Sequence, residues 1–235
     1  MRPREFSYLF KKGGTDILKS PLIVLPGAFL WLVSFVVSKI AGRVGQLKLT
    51  AELAYVWLIA SVLIMLCVLA FVFAGMIGMS FKSIKNKNRG FFESAVKFWF
   101  KNFMIILIIV ALSVLVRMGA HYGSFYLGKA LELNIGAAQF LFVLLYFIGL
   151  VGILIWFSFS SFFLVYENKG VKGSIKMSFG FVRRNYLDTL VLSVALFVIL
   201  FFVNKIQGNL GNAIEYLLLI PYFVLVIGRF VLKKA

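Results

Sequence analysis

Eight carboxylates and one histidine are the main proton-transfer groups that this 235-residue sequence offers. The carboxylates are Glu5, Asp16, Glu52, Glu93, Glu132, Glu167, Asp188 and Glu215, and the histidine is His121. None of the carboxylates lies in the middle of an apolar run, where proton relays and ion-coupled carriers keep theirs. Asp16 and Asp188 are the only aspartates, too few for the clustered carboxylates of paired-metal headgroup chemistry. His121 falls in a weakly charged stretch, 119–134, expected as an outer loop. Ser124 beside it lacks the glycine-flanked setting of a serine nucleophile. No strand–GxxxxGK[ST]–helix phosphate loop is present. Cys67 stands alone, so the chain forms no internal disulfide and no thiolate metal site. These residues predict neither an enzyme nor a metal or cofactor site.

Binding chemistry is better represented. In Gly170 to Tyr186 the residues Val171, Ile175, Phe179 and Val182 recur at helical spacing, with Lys172, Lys176 and Arg183 on another side. Arg184 closes the segment. Such a basic helix suits the boundary between lipid headgroups and acyl chains, where each cation contributes about 1 kcal/mol toward an anionic surface. Lys97 and Lys101 share a face with Glu93 in a second segment of this kind, 81–102. Glu167, expected where a span reaches the interface, reads first as a cap or orienting contact for the next helix. Its second reading is a contact for a headgroup or a partner. The candidate binding set is therefore Lys97, Lys101, Glu167, Lys172, Lys176, Arg183 and Arg184.

The elements that position these residues follow from composition. The chain is 62% hydrophobic, against roughly 45–50% in soluble proteins. Six apolar runs account for the excess and predict an all-α, six-span transmembrane protein. The expected spans are 21–40, 53–79, 103–118, 135–166, 187–203 and 213–231. Pro21 opens the first, where a missing N–H costs nothing. The N-terminal segment 1–20 reads as a short interfacial helix interrupted near Gly13-Gly14. The fourth run is too long for one perpendicular crossing, and Gly149 and Gly152 are its expected bends. Pro221 predicts a kink in the sixth. Ala70, Ala74 and Gly78 recur every four residues in the second, a face that lets another helix approach closely.

Twenty-five basic residues against eight acidic ones give a net charge of +17. Without a soluble domain to carry it, this excess points to topology and anionic lipid, not nucleic acid. Segments 1–20, 81–102, 167–187 and the tail from Arg229 carry 5, 6, 5 and 3 basic residues; the alternate connections carry 3, 2 and 1. That asymmetry predicts both termini in the cytoplasm.

Three junctions read alike: Lys19-Ser20-Pro21, Lys101-Asn102-Phe103 and Arg184-Asn185-Tyr186. Each follows a basic segment and precedes a pair of spans. The expectation is three parallel repeats of interfacial amphipathic helix plus helical hairpin, at 1–80, 81–166 and 167–235, forming one membrane domain. The run Glu167-Asn168-Lys169-Gly170, followed by Ser178 and Asn185, resembles the signature of a broad prokaryotic family. That family comprises the multi-pass membrane domain sometimes fused ahead of glycerophosphodiester phosphodiesterases, and its stand-alone relatives. Ser174 stands where that family usually has alanine, and Arg89-Gly90 to Asn102 looks like a weaker copy. The resemblance implies a prokaryotic cell membrane protein without a phosphodiesterase barrel, and it carries over no catalytic residue.

The expected function is a non-enzymatic, lipid-associated scaffold or interaction module. Its expected partners are membrane lipids, anionic by charge complementarity, with a protein partner or a second copy of the chain left open. The alternative is a transporter or channel for a lipid or small hydrophobic solute, since apolar cargo needs no charge in mid-membrane.

Overall fold

A computed structural model describes residues 3–46, 51–85, 90–203, 211 and 214–234. Among them the chain is helical, without strands. The helices are α1 (Pro3–Lys19), α2 (Leu25–Gln46), α3 (Ala51–Lys85), α4 (Phe91–Ala130), α5 (Ile135–Phe157), α6 (Ser160–Tyr166), α7 (Val171–Arg184), α8 (Tyr186–Val203) and α9 (Ile220–Lys234). A 3₁₀ turn at Pro21–Val24 leads into α2, and a π turn at Glu215–Leu219 leads into α9. Six stretches are long and apolar enough to cross a bilayer: Pro21–Ile40, Glu52–Lys85, Phe91–Ala130, Ile135–Tyr166, Tyr186–Val203 and Glu215–Lys234. The chain is a multi-pass membrane protein.

Five expectations about the helices need correction. The separate helix over 81–102, the span at 103–118 and the loop at 119–134 are largely one helix: α4 runs unbroken for 40 residues. At 1.5 Å per residue it is about 60 Å long, roughly twice the hydrocarbon thickness of a bilayer. Only 131–134 remain as a turn, with Glu132 in the left-handed region (φ 49°) and Asn134 capping α5 through the Ala137 N–H at 2.8 Å. Helix α1 is not interrupted at Gly13-Gly14. Gly13 is instead a contact, since a Cβ there would come within 2.7 Å of Val226 in α9.

The fourth span does break, but not at Gly149 or Gly152. The interruption is at Ser158–Phe159, between α5 and α6. Ser158 Oγ bonds back to the Leu154 carbonyl one turn earlier, a pattern that bends helices. Gly149 lies within α5 and accommodates Val116 of α4. The π turn falls where Pro221 withholds the N–H that the preceding helical turn would use. Of the expected turn through Gly208 and Gly211, Gly208 lies outside the described residues and Gly211 is helical.

The core lies at one end of the bundle. All seven residues of α6 are buried, and with it cluster Met76 and Ile77 of α3, Phe98 of α4 and Val226 and Phe230 of α9. Phe159, Phe181 and Phe230 form a triangle of rings with centroids 5.0–5.9 Å apart. Toward the other end the α4–α5 hairpin and α8 expose large apolar side chains such as Phe140, Phe147 and Phe202, as lipid-facing surfaces do. The packing order has a cyclic form. Helix α1 lies on α9, the start of α4 on α3, and α7 on α6.

Candidate functional site

The sequence's basic helices meet the core end through small and hydroxyl residues. On α7 the buried stripe is Ser174, Ser178, Phe181 and Val182. Of the apolar stripe Val171, Ile175, Phe179 and Val182, Val182 is buried, Val171 packs against the core, and Phe179 is 38% exposed with its ring against Trp156 and Phe157. At a membrane boundary apolar side chains can face lipid while small ones face protein. Ser178 donates to the Trp156 carbonyl at 2.6 Å, which ties α7 to the end of α5.

With that face inward, the cations of α7 point outward. Lys172, Lys176, Arg183 and Arg184 are all exposed. Two of them, Lys176 and Arg184, line a cavity of about 340 Å³. Between them, one turn from each, is Gly180, and a Cβ there would meet nothing within 4 Å. The ridge Lys176–Gly180–Arg184 therefore sets two cations on either side of a gap. Met177, Phe181 and Asn185 form the adjacent ridge and part of the wall, Phe163 adds an apolar surface from α6, and Lys234 of α9 completes the ring.

Lys234 is held by Asp188 at 2.9 Å, whereas neither Lys176 nor Arg184 has an ion-pair partner among the described residues. The pocket thus offers two free cations, a third half-neutralised one and an amide over an apolar wall. That set can hold a phosphate or carboxylate through charge-assisted bonds. Among the described residues its lining has no carboxylate, histidine or nucleophile to move a proton.

The other expected site residues are not part of this pocket. Lys97 and Lys101 are exposed on α4, with Lys97 5.3 Å from the Phe98 ring centroid. Lys172 and Arg183 occupy the outer face of α7. Glu167 ends α6 and is exposed. Its side chain does not cap α7, whose N-cap Gly170 provides no side-chain hydrogen bond. The turn that follows is shaped by Asn168 at φ 53°, a conformation asparagine tolerates. Lys234 was missed by sequence reasoning, which saw only a basic tail. Nothing local signals that the last helix returns to α7.

Two further groups of polar residues occupy the core end. Asn102, fully buried, donates to the Ala70 carbonyl at 2.9 Å and accepts from Ser161 Oγ at 2.6 Å. Ala70 and Ala74 are fully buried, and Gly78 lies so close to Ser94 of α4 that a Cβ would clash. Ser80 and Tyr166 share a hydrogen bond of 2.9 Å beside Gly228.

Three of the eight carboxylates pair with the last helix, Asp188 among them through Lys234. Asp16, 3% exposed, forms a two-pronged pair with Arg229, and Glu5 meets Lys233 at 3.0 Å. His121 is on α4, not in a loop; it is exposed, with its ring against Tyr122 and Phe142. Ser124 donates to the His121 carbonyl, not its ring. Among the described residues no three His, Cys, Asp or Glu gather as a metal site. Comparison with protein-family models, curated proteins and solved structures finds no match.

Proposed function

We propose that this chain is a non-enzymatic, lipid-associated scaffold of a prokaryotic cell membrane, with its core end and both termini toward the cytoplasm. The observation that carries this reading is the pocket on the ridge Lys176–Gly180–Arg184, completed by Lys234. Its polar groups are cations and an amide, suited to holding an anionic headgroup and not to acid–base chemistry. Lys97, Lys101, Lys172 and Arg183 add a diffuse attraction around it.

The cyclic packing supports the three-repeat reading. Each basic segment lies against the closing end of the hairpin before it, and α1 fills that role against the last hairpin. The resemblance to the membrane domain associated with glycerophosphodiester phosphodiesterases agrees with such a scaffold. A conduit for lipid or hydrophobic solute is less favoured, because Phe98, Phe162, Phe230 and Leu225 fill the core end with fully buried side chains.

The test is lipid retention by purified protein in mixed phosphatidylglycerol–phosphatidylcholine nanodiscs, read by native mass spectrometry. Lys176→Gln and Arg184→Gln should each weaken phosphatidylglycerol retention about fivefold, equivalent to roughly 1 kcal/mol per cation. Folding should be unchanged. Equal retention by the double variant and the parent would sink the proposal.

A further inference from the structure

A second cavity, of about 520 Å³, opens between the start of α2, the end of α3 and the first turn of α4. Its size is within the roughly 300–1,000 Å³ of small-molecule sites. Gly27 is seated against the Tyr216 backbone in the π turn before α9. The 3₁₀ turn at Pro21–Val24 and Pro26 lead into α2 beside that contact. Leu25 and Phe29, one turn apart, face the cleft. Phe71 and Met79 of α3 and Phe91 of α4 form the opposite wall.

We infer that this cleft binds one acyl chain of an anionic phospholipid drawn from the surrounding bilayer, with its headgroup at Lys82. Three observations converge on that occupant. Lys82, exposed in the last turn of α3, is the only ionisable group lining the cleft among the described residues, and among them it has no ion-pair partner. From Lys82 the wall turns apolar through Met79 to Phe71, a run of about 16 Å at 1.5 Å per residue, so polarity falls along the length as in a lipid. The rim residues Leu25 and Phe92 are 61% and 73% exposed, which opens the cleft sideways to lipid. The inference rests on the membrane setting and not on the α7–α9 pocket.

The structure supplies a benign plug. Gly90 lines the mouth with ordinary extended backbone (φ −74°), and a Cβ there would meet nothing within 4 Å. The whole chain, in phosphatidylcholine nanodiscs containing phosphatidylglycerol with a photoreactive diazirine in its tail, is illuminated and mapped by mass spectrometry. Labels should concentrate on 22–29 and 91–92 above the level on the lipid-facing residues 140–147. Gly90→Leu should reduce them to that level, and Lys82→Gln should lower them about fivefold. The same diazirine on phosphatidylcholine should label the cleft no more than the Lys82→Gln variant does. Labelling no denser than at 140–147, or indifferent to both substitutions, means annular lipid only and overturns the inference. Equal labelling by phosphatidylcholine overturns the anionic assignment. Lys176→Gln and Arg184→Gln leave this readout unchanged, so either proposal can fail without the other.

Discussion

Two junctions that read alike in sequence behave differently in the fold. At Lys101-Asn102-Phe103 the helix runs straight through, and at Arg184-Asn185-Tyr186 it stops. The asparagines find different partners. Asn102 reaches across to the Ala70 carbonyl and receives the Ser161 hydroxyl, leaving its own backbone to the helix. Asn185 turns on its own chain, donating to the Phe181 carbonyl at 3.1 Å, with backbone φ −120° and ψ 32°. A side chain bonded locally competes with the helix; one bonded across a seam does not. The two regions also pack differently. The seam of α3 on α4 is so tight that Gly78 has no room for a Cβ, while Gly180 on α7 borders open space. One junction is a tightly packed joint, and the other borders an open pocket.

That contrast can be broken by substitution. The largest effect is expected from Gly78→Leu, which forces Ser94 and the start of α4 away from α3. Overpacking of this kind costs about 1–3 kcal/mol or more, so thermal unfolding in detergent should show a marked loss. Gly180→Leu should be neutral or stabilising by up to about 1 kcal/mol through helix propensity, while closing the basic pocket to phosphatidylglycerol. A destabilising Gly180→Leu would mean that the pocket is not the open space described.

Next, Asn102→Leu leaves the Ser161 hydroxyl without its buried acceptor. It should cost about 1–3 kcal/mol, against under about 1 for Asn185→Leu. Equal losses would erase the distinction between the two junctions. Ser161→Ala removes one arm of the Asn102 network, and a cost near 0.6 kcal/mol is expected, as for interhelical bonds in membranes. The smallest change is Asn185→Ala. Stability should shift by a few tenths of a kcal/mol, and amide exchange at 186–188 should slow as the helix gains continuity. Faster exchange there would assign the stop to packing and not to the side chain.

Six spans and most of their ends were legible in the sequence, because apolar runs of such length exceed what a water-soluble core of this chain could bury. Helix continuity was not. Gly13 and Gly149 read as an interruption and a bend, yet both are contacts, against Val226 and Val116. In a bundle embedded in lipid, glycine marks close approach as often as weakness. The real break, at Ser158, carries neither glycine nor proline, and its signal is a hydroxyl bonding one turn back. Part of the basic pocket was legible: Lys176 and Arg184 were visible as helical cations. Lys234 was not, because its place depends on the last helix reaching α7, which no local pattern encodes. The inward face of α7 was not legible for a related reason. Ser174 and Ser178 are buried by neighbours whose position their own segment does not specify.

The pair between Asp16 and Arg229 joins residues 213 positions apart, and this bears on how the protein is made. At roughly 5–20 residues per second, α1 leaves the ribosome about 10–40 s before its partner exists. During that interval its carboxylate has no Arg229, and Gly13 has no Val226 to receive. Helix α1 therefore docks only after α9 has been made. Synthesis of α9 becomes the event that closes this seam, and a chain truncated before Arg229 leaves α1 without its seat.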